Sequence, residues 1–317
     1  MLELHQFRHS PYCLKVRMAL AAKKLEYRTV EITPAIGQID IFQKTGQKKL
    51  PVLFDKETTI HDSSSIIRHL EKIEIEPKLI PEGLKEASQA QIIENWADTT
   101  LAKSIKIVFL EELTKNPKLI SSLFANKISD SMKKLLFNLP TKITSQISGL
   151  INQKEKESLK SNLENLSNII DQENFLIGEK LSIADIAVAS HLSLLKFPNS
   201  SGENLRGKGC SLYINDPSLQ ILFNWRDSIE DQLTIINIDT LLNDSSWRLF
   251  SSDSSGFSLN RFKTNKTNKA IKTMESPIEI VKSYRAHPAM STLKIKIKIF
   301  LKLMSNVLEA SQKRLIP

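Results

Sequence analysis

The chain has 317 residues, of which 41% are hydrophobic and 25% are charged, and it contains only 9 glycines and 12 prolines. This length allows two ordinary domains, and the composition excludes collagen-like, mucin-like and wholly disordered chains. The net charge of +9 resides in residues 251–317, which hold 13 Lys and Arg against 4 Asp and Glu. Because the first 250 residues are neutral, we expect no nucleic-acid binding by the body of the chain.

Cysteine usage and the N-terminal sequence indicate a cytoplasmic protein. The two cysteines, Cys13 and Cys210, are too few for a disulfide framework, which favours a reducing compartment. The chain opens on an alternating strand pattern and not on the basic and apolar regions of a secretory signal. The sequence contains no uninterrupted run of about 18 apolar residues, so no membrane-spanning helix is predicted.

Short strands and helices alternate along the first 78 residues. Ser10 is a good helix N-cap and Pro11 suits a first helical position, so a helix is expected to begin there. The predicted elements are a strand over 2–7, this helix, a strand over 26–32, a looser segment with a short helix over 34–47, strands over 49–54 and 58–61, and a helix over 64–73. The first strand–helix–strand unit implies parallel pairing.

Beyond residue 82 the pattern changes to long helical periodicities without strands. The predicted helices are 86–112, 129–136, 154–172, 183–195 and 218–229. Two prolines and a glycine in residues 76–83 mark a linker. We therefore divide the chain into an α/β domain (1–78), an all-helical domain (84–244), and a flexible linker with a basic C-terminal segment (245–317).

The turn between the first strand and the first helix carries the first candidate site. Backbone N–H groups at a helix N-terminus are unpaired, and they stabilise an anion nearby. The Ser10 hydroxyl can donate to a thiolate and lower the pKa of that thiol, or Ser10 can act simply as a helix cap. Cys13 lies on the inward face of the helix, which favours packing over reactivity.

Two further segments have both a binding and a purely structural interpretation. A cis bond before Pro51 would leave the backbone of Leu50 free to pair with a peptide-like ligand, although Pro51 can also be an ordinary strand-entry proline. Asp62 and Ser63, at the start of the next helix, can hold the amino and carboxylate ends of a ligand or can serve as helix caps. The histidines show no metal-binding spacing, so no metal site is predicted.

These segments and one more resemble the glutathione S-transferase family over roughly residues 1–240. The matching stretches are residues 8–17, 46–53, 61–63 and 175–185. The last contains Ser182 and Asp185, whose spacing is that of a capping box. The resemblance implies a thioredoxin-like N-terminal α/β domain followed by an all-α helical bundle domain, to which this chain adds a basic C-terminal extension.

The resemblance also implies roles for individual residues. Ser10 would be the catalytic residue that donates a hydrogen bond to the sulfur of glutathione, the co-substrate. The glutathione-binding residues would be Leu50, which precedes Pro51 and pairs with the cysteinyl backbone, Asp62 and Ser63, which bind the γ-glutamyl end, and Lys49, which reaches a carboxylate.

The C-terminal segment lies outside this resemblance. Drawn as a helix, residues 293–304 carry Lys294, Lys298 and Lys302 on one stripe and are mostly apolar elsewhere. Such a helix can contact an anionic membrane surface through residues 291–315, dock on the body of the chain or contact a partner. We favour docking or partner contact.

Two functions remain open at this point. The first is a glutathione transferase that conjugates glutathione to an unknown electrophile without a metal. The second is a non-enzymatic binding or interaction module of the same fold. The sequence leaves open whether the chain forms a homodimer.

Overall fold

The computed structural model describes residues 1–32, 41–42, 45–46, 49–124 and 153–233. Three predictions lie wholly or mostly outside the described residues, namely the short helix within 34–47, the helix over 129–136 and everything assigned to 245–317, including the segment 291–315. The described residues form a thioredoxin-like α/β domain that packs on an all-helical domain.

The N-terminal domain is built on one four-stranded sheet. Its strands are β1 (Leu2–Gln6), β2 (Tyr27–Glu31), β3 (Val52–Asp55) and β4 (Thr58–His61), in the order β2-β1-β3-β4. Strand β1 pairs in parallel with β2 and antiparallel with β3. Leu4 of β1 lies opposite Leu53 of β3, and both side chains are fully buried. The two central strands therefore anchor the core of this domain.

Helix α1 (Pro11–Ala22) is buried on nearly every side, because α2 (Ser63–Ile73) and a helix of the second domain both pack on it. Ten of its twelve residues are buried. They include Cys13, whose side chain has no exposed surface, as its place on the inward face predicts. Helix α1 is therefore the element through which the two domains meet.

The described helices of the second domain follow the predicted periodicity. They are α3 (Leu84–Trp96), a π-helical turn (Ala97–Leu101), α4 (Ala102–Lys115), α5 (Pro117–Phe124), α6 (Gln153–Gln172), α7 (Ile183–Leu192), α8 (Ser211–Ile214) and α9 (Gln220–Gln232). The π-helical turn interrupts the single helix expected over 86–112. The short helices α5 and α8 were not predicted from the sequence.

Helix α7 forms the centre of the helical domain, and every one of its residues is buried. Its N-terminus carries the predicted capping box. The Asp185 carboxylate accepts hydrogen bonds from the backbone N–H of Ser182 at 2.8 Å and of Leu176 at 2.7 Å. At the other end, the fully buried Arg226 of α9 donates to the carbonyl oxygens of Leu192 and Lys196. Both ends of this buried helix thus have hydrogen-bonding partners.

No helix among the described residues is long and apolar enough to cross a membrane.

The capping box gives a stability prediction. Asp185→Ala leaves the buried N–H of Ser182 and the partly buried N–H of Leu176 without an acceptor, and we expect it to lower the free energy of unfolding by about 3 kcal/mol. Ser182→Ala removes a single capping hydroxyl and should cost about 1 kcal/mol. Urea unfolding followed by circular dichroism measures both. Equal losses in the two variants would contradict the central role of Asp185.

Candidate functional site

The C-terminal ends of β1 and β4 lie beside the N-terminal end of β3, at the side of the sheet that we call its edge. Val52, the first residue of β3, pairs with His5 of β1 on one side and with His61 of β4 on the other. Because β3 is antiparallel to both, the residues that precede Val52 lie beside those that follow β1 and β4. This edge gathers the segments that contain the predicted site residues Ser10, Lys49, Leu50, Pro51, Asp62 and Ser63.

The segment before β3 contains a cis peptide bond and, in Leu50, backbone groups that do not pair with the backbone of any other described residue. The peptide bond between Leu50 and Pro51 is cis. Strand β3 begins at Val52, three residues later than expected, since Pro51 has no N–H to donate to a ladder. Neither the N–H nor the carbonyl of Leu50 makes a backbone hydrogen bond to another described residue. The half-buried Lys49 likewise has no ion pair within the described part of the chain.

The first turn of α2 combines a helix cap with a buried hydroxyl. Asp62 is the N-cap, and its carboxylate accepts from the N–H of Ser65 at 3.1 Å, so the capping interpretation is confirmed. The backbone of Asp62 has φ 74°, a conformation that non-glycine residues adopt mainly where surrounding structure imposes it. The Ser63 hydroxyl is buried, and it has no hydrogen-bond partner among the described residues. The turn therefore offers a ready donor beside a helix N-terminus.

Ser10 occupies the N-cap position of α1, but its hydroxyl does not cap a backbone N–H. The hydroxyl instead acts on the thiol of Cys13, whose pKa it lowers. Burial nevertheless raises the pKa of Cys13 to about 11, against the opposing effects of Ser10 and the nearby Arg17. Cys13 is therefore a neutral thiol at physiological pH and not a nucleophile. Ser10 itself is only 2% exposed.

A buried ionic cluster next to this edge was missed by the sequence analysis. Lys15 of α1 is fully buried, and its Nζ lies 2.6 Å from Glu94 Oε1 and 2.6 Å from Asp98 Oδ2. The other oxygen of Asp98 lies 2.9 Å from Nε2 of the buried His191. The signal was present, because a lysine in the middle of a helix that is apolar on most sides must find a buried partner.

Two members of the cluster, Asp98 and Lys15, have shifted pKa values. Burial opposes the charged form of Asp98, but the charge of Lys15 and the hydrogen bond with His191 outweigh it and lower the pKa of Asp98 to about 2. Burial likewise opposes the charged form of Lys15, but Asp98 and Glu94 raise its pKa. Lys15 and Asp98 therefore carry opposite charges across the physiological range.

No group of three or more His, Cys, Asp or Glu in the described ranges could hold a metal ion.

The fold and the site together define a class of protein. A thioredoxin-like sheet has a cis proline before β3, a serine at the start of α1 and the capped N-terminus of α2 at one edge, and a helical domain packs beside them. This is the class of two-domain proteins in which a thioredoxin-like α/β domain is followed by an all-helical domain.

Comparison with known proteins identifies the family. Residues 4–78 match the family described as the N-terminal domain of glutathione S-transferase. The N-terminal domain of this chain therefore belongs to the glutathione S-transferase family.

Two characterised relatives resemble a larger part of the chain. Glutathione S-transferase TCHQD of Arabidopsis thaliana is 25% identical over 224 residues, which cover 63% of this chain and 82% of the relative. FtsZ-localized protein A of Caulobacter vibrioides (strain NA1000 / CB15N) is 22% identical over 198 residues, covering 61% of this chain and 77% of the relative.

Solved structures show the same fold. A glutathione S-transferase from Rhodospirillum rubrum F11 has a TM-score of 0.50 at 21% identity, covering 80% of this chain and 94% of that one. A delta-class glutathione transferase from Nilaparvata lugens also has a TM-score of 0.50, at 15% identity, covering 74% and 90%. The two-domain arrangement expected from the sequence is thus confirmed.

The low pKa of Asp98 predicts a dependence of stability on pH. A carboxyl whose pKa is about 2 in the folded protein and near 3.8 otherwise stabilises the fold above pH 4 by on the order of 2 kcal/mol. This contribution is lost as the pH falls through about 2.

We therefore expect the free energy of unfolding to fall less steeply between pH 5 and pH 2 in Asp98→Asn than in the wild type. Urea unfolding at a series of pH values measures this, with the exposed Asp231→Asn as control. If the free energy of unfolding falls equally steeply between pH 5 and pH 2 in the wild type and in Asp98→Asn, then Asp98 is not the source of this pH dependence.

Proposed function

We propose that the protein is a glutathione-dependent transferase in which Ser10 stabilises the thiolate of glutathione for attack on an electrophile. The sulfur would lose its proton to solvent, and the thiolate would form a carbon–sulfur bond as the leaving group departs. Glutathione is the co-substrate, and the electrophile is undetermined. No residue of the chain needs to form a covalent intermediate.

The unpartnered hydroxyl of Ser63 is the observation that carries this proposal. Leaving a buried hydroxyl without a partner costs about 1–3 kcal/mol, so a ligand that supplies an acceptor is favoured. The hydroxyl and the first N–H groups of α2 point to an anionic acceptor, and the α-carboxylate of a γ-glutamyl group is one. Asp62, at the same turn, would face the α-amino group.

The edge before β3 supplies contacts for the rest of the tripeptide. The N–H and carbonyl of Leu50, which make no backbone hydrogen bond to another described residue, would pair with the cysteinyl backbone as an added strand beside cis Pro51. Lys49, which has no ion pair within the described residues, would meet the glycine carboxylate. This binding mode places the cysteinyl sulfur on the side of the sheet where α1 begins, toward Ser10.

A second candidate function is a non-enzymatic interaction module. The burial of Ser10 favours it, because a hydroxyl that is 2% exposed and acts on the Cys13 thiol is not directed at a ligand. The resemblance to a protein described as FtsZ-localized also supports a role outside catalysis. Under the transferase proposal, the Ser10 hydroxyl turns from the neutral Cys13 to a thiolate, which is the stronger acceptor.

We propose that the protein acts in the cytoplasm, where reduced glutathione is abundant and where the two free cysteines, Cys13 and Cys210, stay reduced. A homodimer stays a prediction, as does the contact of residues 291–315 with a membrane surface or a partner. The proposed domain limits are those expected from the sequence, 1–78, 84–244 and 245–317.

Calorimetric titration with reduced glutathione tests the binding site. We expect Ser63→Ala to weaken binding about tenfold, because the variant loses a hydrogen bond to a charged group. The fold should keep its stability, since the hydroxyl has no partner in the free protein. Ser88→Ala removes an exposed hydroxyl on α3 and is the matched control. Absence of heat for the wild type at millimolar glutathione would rule out the proposal.

The role of Ser10 is tested separately from binding. Ser10→Ala should keep its affinity for glutathione and lose about a hundredfold in the rate of conjugation to a model electrophile, because one donor to the developing charge is gone. The pKa of bound glutathione, followed by the ultraviolet absorbance of the thiolate, should rise in the variant. Glutathione binding with an unchanged thiol pKa in Ser10→Ala would favour the interaction module.

A further inference from the structure

We propose that Lys15 is a positioning residue for the γ-glutamyl subsite, and that it acts by fixing the first turn of α2 to the helical domain through Ser64. The inference rests on the proposed binding of glutathione. It assigns the buried cluster of Lys15, Glu94, Asp98 and His191, which we call the interdomain cluster, a role in ligand recognition besides stability.

The link between this cluster and the subsite is the hydroxyl of Ser64. Its Oγ lies 3.1 Å from Lys15 Nζ, 2.6 Å from Glu94 Oε1 and 3.2 Å from Asp98 Oδ2. Ser64 directly follows Ser63 in the first turn of α2. Ser63, whose hydroxyl has no partner among the described residues, is thus adjacent to Ser64, whose hydroxyl forms hydrogen bonds with side chains of both domains.

The interdomain cluster is held firmly on the side of the helical domain. Asp98 belongs to the π-helical turn Ala97–Leu101, an irregular helical element of a kind that often occurs at functional sites. Besides its carboxylate contacts, Asp98 accepts at its backbone carbonyl a 2.6 Å hydrogen bond from the Tyr12 hydroxyl of α1. The His191 ring packs edge-on against the same tyrosine, with ring centroids 4.7 Å apart. These contacts leave the carboxylates little freedom to follow a displaced turn.

Lys15 determines whether this arrangement holds the turn or distorts it. Without its charge, the carboxylates of Glu94 and Asp98 would both face the Ser64 hydroxyl, which can donate to only one of them. The half-exposed Arg68, 3.6 Å from Glu94, is a distant and solvent-screened substitute. Repulsion between the carboxylates would therefore move the turn, and the Ser63 donors with it.

The chain contains a matched control at the other end of the same two helices. Lys23, just after α1, is also buried, and its Nζ lies 2.5 Å from Glu71 Oε1 and 2.8 Å from the Glu74 carbonyl. Lys23 therefore fixes the C-terminal end of α2, far along the helix from Ser63. Lys23→Met and Lys15→Met both remove a buried lysine from its carboxylate partners, but only the second removes the contact to Ser64.

The experiment compares two thiols, reduced glutathione and cysteinylglycine, which lacks the γ-glutamyl group. Dissociation constants are measured for the wild-type full chain, Lys15→Met, Lys23→Met and Ser64→Ala. We expect Lys15→Met to raise the dissociation constant for glutathione about tenfold and Ser64→Ala to raise it about threefold, with little change for Lys23→Met. Cysteinylglycine should bind Lys15→Met and the wild type alike.

The outcomes separate the inference from the function on which it rests. Equal losses of glutathione affinity in Lys15→Met and Lys23→Met, or equal losses for the two thiols, would show that Lys15 only stabilises the fold. Unchanged glutathione affinity in Ser64→Ala would also overturn the inference, and this variant removes too little to unfold the chain. Absence of glutathione binding by the wild type would overturn the proposed function as well.

Discussion

The burial of α1 between two domains constrains the rest of the structure. A helix covered on one side by α2 and on the other by α7 cannot expose the lysine at its centre to water, so Lys15 must be neutralised inside the protein. An isolated buried ammonium group would cost several kcal/mol. Its partners, Glu94 and Asp98, come from the helical domain, and the relative placement of the two domains follows from that pairing.

A second constraint comes from the antiparallel placement of β3 between β1 and β4. It brings three chain segments that are far apart in sequence to one edge of the sheet. Pro51 ends the ladder there, because it lacks an N–H, and Ser63 begins a helix at the same place. The site therefore forms where the strands β1, β3 and β4 end. Its backbone groups are those that would be hydrogen-bonded in the interior of a regular sheet or helix.

Local sequence patterns predicted much of the fold. The strand over 58–61 was located correctly, and α6 begins within one residue of its predicted start, because strand alternation and helical periodicity are properties of short segments. The capping box of Ser182 and Asp185 was equally local, because its two residues are three positions apart. Helix α5 was missed, although Pro117 at its first position is a recognised start signal.

The remaining features depend on contacts between distant segments. Lys15 and Asp98 are separated by 83 positions in the sequence, and no periodicity reveals that pairing. The side chain of Ser10 illustrates a second limit, because its N-cap position was correct but its hydroxyl makes no hydrogen bond to the helix backbone. The π-helical turn at Asp98 was likewise hidden, since residues 97–101 contain no glycine or proline that would mark an irregularity.

A crystal structure of the chain grown with reduced glutathione is the most direct test of the account. The account predicts the γ-glutamyl carboxylate within hydrogen-bond distance of the Ser63 hydroxyl, and the cysteinyl backbone paired with Leu50. The sulfur would lie beside Ser10, whose hydroxyl would have turned away from Cys13. Glutathione bound elsewhere, or an empty sheet edge at saturating glutathione with Ser63 still unpartnered, would contradict it.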